Sequence, residues 1–454
     1  MKGWKSRHCR LGIATTVVLA GGALTDGLVR PAAASGYFLR DQSAIGQGSS
    51  FAGSTARADD PSMQFYNPAS MVRLPGFQTT IVGTVIDLDS SANSVTGSRA
   101  AALGGSVITG TNGGNIGATA FVPATYITAQ VAPQWWVGLS VNAPWGLVTK
   151  SDVGGVARYY AQTTSLATYN FSPSVAWQVT PTFSLGAALQ VQYATAHLSS
   201  AVDFGAIGAA AGLGRYGLLP GRADGRATVR GDDVALGWQI GALWEPWQGT
   251  RLGVAFRSAV FQELSGNYVQ YDNVPALLAR AFPQAAGRTK LTTPESVSIG
   301  LSQRLSERWT LLADASWTNW SRFRELRVQI DGSPDNVTPE RWRDTAFAAI
   351  GAEYQATDRL RLRTGFAYDM TPTSTETRTP RIPDNDRYWL SVGASYRITD
   401  KLEVSAGYSH IFARDARVSL RAGGPTSPDF LRGNLDAVYR GSVDVFALQL
   451  RLAL

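Results

Sequence analysis

The stretch TPTFSLGAALQVQY, residues 180–193, holds a tight polar turn followed at once by an alternating run. From Phe183 one face reads Phe183, Leu185, Ala187, Leu189, Val191 and Tyr193, and the other reads Ser184, Gly186, Ala188, Gln190 and Gln192. Side chains two apart share a face in a β-strand, so this is a strand with one apolar and one polar side. The chain ends on the same pattern, with Phe446, Leu448, Leu450, Leu452 and Leu454 alternating with Ala447, Gln449, Arg451 and Ala453.

Short turns of this kind recur at Pro133-Gln134, Thr180-Pro181-Thr182, Trp247-Gln248-Gly249-Thr250, Ser306-Glu307-Arg308, Thr357-Asp358 and Thr399-Asp400, each followed by an apolar alternating run. The other connections, around residues 92–116, 199–226, 265–289 and 413–437, are much longer. Tight turns on one side, long loops on the other and an apolar band facing out describe a transmembrane barrel. Six tight turns join seven strand pairs, so the pattern predicts an all-β fold, a 14-stranded antiparallel transmembrane β-barrel. An even count puts the first strand's start, near Phe77, and the carboxy terminus together on the periplasmic side. Closure satisfies the backbone: in lipid every N–H and C=O must pair within the chain. Aromatic residues near strand ends, Trp135, Trp136, Trp309, Trp317, Trp320, Tyr388 and Tyr396, suit interfacial girdles, and core packing in a soluble sandwich is the other reading.

Composition agrees. Mean hydropathy is -0.07 over 454 residues, and after residue 30 no apolar run approaches the roughly 18 residues of a membrane helix, which excludes a helical transporter. Residues 1–34 read as a secretory signal: Lys2, Lys5, Arg7 and Arg10, an apolar stretch from Leu11 to Leu24, then Ala32-Ala33-Ala34 before Ser35. Their removal takes the net charge from +7 to +3 and removes Cys9, the single cysteine. Disulfides, thiolate metal sites and cysteine nucleophiles are thereby excluded from the mature chain. Its arginines are scattered among acidic residues without a dense basic run, which gives nucleic-acid binding little support.

An apolar outer face implies a polar lumen, and alternation points Asp314, Arg343, Glu353, Arg361, Arg363, Arg387, Arg397 and Glu403 inward. Residues 35–76 precede the first strand, show no strand pattern and are rich in Gly, Ala, Ser and Asp. Tethered to the periplasmic end of the lumen, they make a natural plug, and lumen charges can pair with it and with one another.

The sequence resembles the FadL/TodX family of outer-membrane channels for hydrophobic compounds over essentially the mature chain. The first anchor is SGYFLRDQSAIGQGSSFAGSTARADDPSMQFYNPASMVRLPG (35–76), similar to the family's hatch in its acidic pair Asp59-Asp60 and its Asn67-Pro68-Ala69 tripeptide. The second is WTNWSRFRELRV (317–328), and the third is RTPRIPDNDRYWLSVGASYR (378–397), following GFAYDMTPT (365–373). The resemblance implies three parts: a signal peptide over 1–34, an N-terminal hatch over 35–76 and a barrel over 77–454. It also implies passive uptake by capture on outer loops, hatch-gated passage and lateral exit into the membrane where the third strand kinks. That strand is Trp135 to Val148, and Asn142, Pro144 and Gly146 lie in it. Proline cannot donate to the ladder and glycine permits unusual backbone angles, so a break in pairing is physically expected; the other reading has Pro144 mark the strand's outer end.

A lateral route matters because exposing an alkyl chain to water costs about 0.8 kcal/mol per CH₂, roughly ten kcal/mol or more for sixteen carbons. Leu213, Leu218 and Leu219 on one long loop and Leu277, Leu278 and Phe282 on another offer an apolar capture surface, or else pack against each other as a lid. For a fatty-acid cargo the resemblance makes Arg343, in Trp342-Arg343-Asp344, the first candidate for the carboxylate. His197 is the second, inward only if its strand bulges. Long-chain fatty acids lead as cargo, with aromatic or aliphatic hydrocarbons as the alternative. The implied setting is the outer membrane of a Gram-negative bacterium, with lipopolysaccharide, membrane lipid and the barrel-assembly machinery as partners, a monomer, and no cofactor. Barrels of this kind usually end in Phe; this one ends in Leu454. Catalysis lacks support, since beyond the signal only His197 and His410 are available and neither sits in a nucleophile or metal motif. A purely adhesive barrel would have no use for a plug.

Overall fold

The computed structural model describes residues 36–454, so the signal expected over 1–34, with Cys9, lies outside the described residues. Fourteen antiparallel strands follow one another around a closed sheet. They are β1 Phe77–Ser98, β2 Thr119–Ala132, β3 in two pieces Trp135–Asn142 and Gly146–Lys150, β4 Thr163–Thr180, β5 Phe183–Asp203 and β6 Asp224–Trp244. Then come β7 (Thr250–Arg257 and Val260–Asp272), β8 (Ala285–Thr293 and Ser296–Arg304), β9 Trp309–Thr318 and β10 Thr345–Gln355. The last are β11 Leu360–Asp369, β12 Arg387–Arg397, β13 (Leu402–Ala413 and Ala416–Leu420) and β14 Asn434–Ala453. A small hairpin, Glu325–Ile330 with Asn336–Pro339, stands in the connection between β9 and β10. Closure is made by β1 against β14, from Gln78 opposite Ala453 to Ser98 opposite Asn434.

All six tight turns expected from the sequence join strands here, and the first strand starts at Phe77 as expected. The long connections are shorter than expected. β1 runs on to Ser98, β5 to Asp203, β7 to Asp272 and β13 to Leu420. Strands that project past the apolar band meet water on their outer side, so they keep their ladder bonds while losing the outward alternation that marks them in the sequence.

The two faces separate as the pattern predicts. On β14, Val443, Val445, Ala447 and Gln449 are buried while Phe446, Leu448 and Leu450 are exposed. Ile81, Val85, Phe121, Leu189, Ile240, Ile299, Ile350, Phe366 and Val392 continue the exposed apolar set round the barrel. Trp135 stacks on Trp177 at 5.5 Å in this outer set, and Trp309, Trp317 and Tyr396 join it. Two aromatics expected in the girdles belong inside instead. Trp136 is buried with its Nε1 donating to the Leu74 carbonyl at 2.9 Å, and Trp320 is 1% exposed. Trp136 follows Trp135 and therefore faces the other way; Trp320 lies beyond the end of β9, where strand parity no longer sets its direction.

Candidate functional site

The segment from Gly36 to Leu74 lies almost wholly buried against inward-facing groups of the wall. It packs there because the wall offers glycine where its backbone arrives. A Cβ at Gly365 of β11 would sit 2.1 Å from the Ser49 carbonyl oxygen, and one at Gly253 of β7 would sit 2.0 Å from that of Thr55. Asn67 caps a short 3-10 turn with its Oδ1 on the Ala69 amide, and its Nδ2 donates to Thr55 O at 2.8 Å and to Ala242 O of β6 at 2.9 Å. Pro68 follows at the first turn position, where its missing N–H costs nothing. Arg57 joins Glu353 of β10 at 2.7 Å and Asp59 at 3.2 Å, and Arg361 and Arg363 of β11 extend the network to Asp59 and Glu353.

β3 breaks where the sequence places Pro144. Asn142 pairs with Asn170 and Gly146 with Ala167, so three residues on β3 face two on β4. On its other side β3 pairs with β2 only from Trp135 to Val141, and the piece Gly146–Lys150 pairs with β4 alone. Residues 119–124 of β2 are consequently laddered to β1 but not to β3. Beyond the break, Gly146 through Thr149 are all buried, unlike the alternating first piece. The chain has turned out of the lipid-facing wall.

The amino-terminal segment meets the groups this break releases. Leu39 N–H donates to Pro144 O and Gly146 N–H to Tyr37 O, both at 2.8 Å, around an antiparallel bridge between Phe38 and Trp145. Gln42 donates to Ala143 O at 2.8 Å and accepts from the Ala143 amide at 3.3 Å. Each buried group left unpaired would cost about 1–3 kcal/mol, so the break depends on this patch.

Beside the patch lies an aromatic pocket filled by Tyr37. Its ring is 4.6 Å from Trp320, 5.7 Å from Trp342, 5.8 Å from Trp145 and 6.2 Å from Phe323, with Leu147, Leu166, Leu264 and Leu291 around them. Only glycine fits at residue 36, because φ is +61° and a Cβ would lie 2.8 Å from the Trp320 ring. Glu340, buried in the β9–β10 connection, accepts from Trp342 Nε1 at 2.9 Å.

Residues 28–454 match the family described as outer membrane protein transport protein (OMPP1/FadL/TodX). The chain belongs to the FadL/TodX family. It is 28% identical to the long-chain fatty acid transport protein of Escherichia coli K12, over 79% of this chain and 83% of that one. A crystal structure of a Pseudomonas aeruginosa FadL homologue superposes with a TM-score of 0.84 at 26% identity, covering 92% of this chain and 99% of the other. The Pseudomonas putida toluene transporter TodX shares the fold, at TM-score 0.65 and 16% identity over 90% of this chain and 98% of its own. This FadL/TodX protein is thus an outer-membrane channel for hydrophobic molecules in a Gram-negative bacterium, and not an enzyme.

In this FadL/TodX chain the residues singled out from sequence fall into different places. Asn67, Pro68 and Ala69 sit at the β5–β6 wall, and Asn142, Pro144 and Gly146 bracket the strand break. Leu218 and Leu278 are buried in a cluster with Phe204, against which Leu213 and Phe282 pack, so these four join the two loops; Leu219 and Leu277 stay exposed. His197 does not face inward. The β5–β6 ladder runs from Phe183 to Asp203 without a register shift, so no bulge turns it, and it shares a face with the exposed Leu185, Leu189 and Tyr193. Arg343 is also not on a strand. It is exposed just before β10, its Nε donating to Thr371 O at 3.3 Å, while its neighbour Trp342 enters the pocket. Arg343 lies two residues ahead of β10, where strand alternation does not set its direction. Sequence reasoning missed the aromatic pocket as a unit, because tryptophans near strand ends read equally well as girdle.

Proposed function

We propose that this protein takes up long-chain fatty acids passively, with residues 35–76 acting as the hatch of a barrel over 77–454 after removal of residues 1–34. The cargo is captured on the exposed Leu219 and Leu277, meets Arg343 at the rim as a first contact for its carboxylate, and enters the aromatic pocket in place of Tyr37. Displacing Tyr37 withdraws the carbonyl that holds Gly146, so filling the pocket and unsealing the strand break become one event. Asn67-Pro68-Ala69 anchors the hatch while its amino-terminal end moves. The cargo then leaves sideways at Asn142 to Gly146 without meeting water.

The observation that carries this reading is the patch itself: a break in the wall whose backbone groups are satisfied by a segment whose Tyr37 also fills the apolar pocket. The fatty-acid choice is supported by the name of the E. coli relative. The test is uptake of labelled oleate and labelled toluene into cells lacking their own hydrophobic channel, with and without this protein. Oleate preference is expected. Toluene preference would move the cargo to hydrocarbons, and stimulation of neither would overturn the reading.

A further inference from the structure

Among the described residues β3 is not alone in losing its ladder. β6 pairs with β7 from Trp244 opposite Leu252 to Gln239 opposite Arg257, and again at Asp232 opposite Ser265, but residues 233–238 of β6 and 258–264 of β7 make no ladder pairs with each other. This seam stands level with the break in β3. In register, Asn142 leads through Asn170 and Gln192 to Ala235, and Gly146 leads through Ala167 and Thr195 to Asp232. Break and seam border the same aromatic pocket, which Trp145 and Leu147 enter from β3 and Leu264 from β7. On the outer side of the seam Val234, Leu236 and Phe261 are 59%, 64% and 66% exposed, so it faces the apolar band.

Two side chains stand in for the missing ladder. Ser258 Oγ accepts from Trp238 N–H at 2.9 Å, and the Asp233 carboxylate accepts from Glu263 N–H at 2.7 Å. β7 and β8 are both interrupted here, at residues 258–259 and 294–295, with Arg257 opposite Ser296 below and Val260 opposite Thr293 above. Their upper pieces thus share one hinge line.

Behind the seam three buried amides each keep an unpaired atom. Gln262 reaches past β6 to donate to Gln192 O at 3.3 Å, while its Oε1 has no partner, and Nε2 of Gln192 and Nε2 of Gln190 have none either. All three side chains are at most 2% exposed. Buried polar atoms are nearly always paired, so unpaired ones grouped in one place mark a seat for another polar group. One acceptor beside two donors suits a hydroxyl, which donates and accepts, better than a carboxylate, which only accepts. Charge points the same way: Asp233 stands in the seam with Asp232 and Glu263 beside it, against Arg230 and Lys290, so a passing anion meets a like charge.

We propose that the β6–β7 seam is a side entrance from the membrane to the aromatic pocket for neutral amphiphiles bearing a hydroxyl, such as long-chain alcohols, with Gln262, Gln192 and Gln190 receiving the hydroxyl. The side chains that close it bond within the wall, so it parts before Tyr37 moves, and the arriving chain then takes the place of the Tyr37 ring. The β3 break, by contrast, is closed by Tyr37 itself. One side admits and the other releases. The entrance goes beyond the uptake of oleate from the outer loops and shares with that reading only the pocket and the exit.

The test dissolves a diazirine-bearing hexadecanol in the membrane of vesicles that hold the protein, photolyses it and maps the label by peptide mass spectrometry. Gly237→Cys with Val260→Cys locks the seam on oxidation, since an ideal Cβ at 237 would lie 2.6 Å from Val260 Cγ2, and Cys9 lies in the segment expected to be removed. Label on Leu264, Leu291 and Trp320 is expected in the reduced protein, falling about tenfold or more on oxidation and returning with dithiothreitol. The matching alkyl sulfonate, an anion at every working pH, is expected to label these positions about tenfold less. Gln262→Leu serves should the cysteine pair fail to form, and is expected to lower labelling by the alcohol about fivefold and by the matching alkane less than about twofold. An unlabelled pocket in the unaltered protein, undiminished label in the locked protein, sulfonate label equal to that of the alcohol, or equal loss of alcohol and alkane in Gln262→Leu overturns the entrance. Oleate uptake by cells carrying the unaltered protein is read in parallel, and its failure overturns the uptake reading and not the entrance.

Discussion

The amide of Gly146 donates to the carbonyl oxygen of Tyr37 at 2.8 Å, so the residue that restarts the broken third strand is held by the residue whose ring fills the aromatic pocket. Wall and pocket are therefore one hydrogen-bonded unit. On the proposed route, a ligand that takes the place of the Tyr37 ring pulls on the backbone closing the wall. The coupling needs no long-range signal, because a single residue belongs to both structures.

The mismatch at the break can be removed by shortening it. Three residues of β3, Ala143 to Trp145, stand opposite Thr168 and Tyr169 of β4, so deleting Pro144 equalises the count and removes the residue that cannot donate. The ladder is expected to run on, giving a barrel at normal abundance in the outer membrane with oleate uptake reduced about tenfold or more. Unchanged uptake in that variant would show that the cargo leaves by another route.

A side chain at Gly365 tests how the amino-terminal segment is held. A valine there drives a methyl-bearing carbon into the Ser49 carbonyl, from which even a bare Cβ would be only 2.1 Å away. The outward face of β11 is untouched, so the barrel should assemble while the segment loses its seat. The expected outcome is retained heat-modifiable gel mobility together with increased entry of large antibiotics normally excluded from the cell. A variant as impermeable as the parent would mean that the segment tolerates displacement at Ser49.

The barrel was legible in the sequence because lipid on one side and a polar interior on the other force strict alternation, visible in Phe446, Leu448 and Leu450 against Val445, Ala447 and Gln449. Strand ends such as Ala92 to Ser98 were not, since water on the outer side imposes no such alternation. The break at Pro144 was readable from one residue's chemistry, but the segment that patches it was not, because backbone bonds from Tyr37 and Leu39 leave no side-chain signature. His197 was misplaced by allowing a bulge that the continuous β5–β6 ladder does not contain.

Glu340 makes the pocket's outer rim sensitive to pH. Burial pushes its carboxyl up to about 8 from an ordinary value of 4.5, against the opposing pull of the Trp342 N–H and of Arg381. Between those values the folded protein holds a proton that the unfolded chain lacks, so this contribution to stability is full below about 4.5 and is lost as pH rises through about 8. Tryptophan fluorescence of the pocket should therefore shift, and thermal stability should fall, as pH rises from neutral to mildly alkaline. Glu340→Gln, neutral at every pH, is expected to flatten both curves. A parent protein with no pH dependence in this range would place the Glu340 carboxyl among ordinary ionised acids.

The two middle loops separate packing from capture at neighbouring leucines. Leu218 and Leu278 are 7% and 6% exposed in the cluster that joins the loops, whereas Leu219 and Leu277 are 49% and 58% exposed beside them. Substituting a buried leucine removes apolar contacts worth about 2–5 kcal/mol and should loosen the joined loops. An exposed leucine contributes almost nothing to the folded state, so its replacement by serine acts only on what binds from outside. Leu219→Ser with Leu277→Ser is expected to leave protease resistance of the loops unchanged and to lower the initial rate of oleate uptake at limiting concentration, with the rate at saturation preserved. Leu218→Ser with Leu278→Ser should instead expose the loops to protease. If the exposed pair leaves the initial rate untouched at every oleate concentration, capture takes place elsewhere on the rim and these loops serve as a lid.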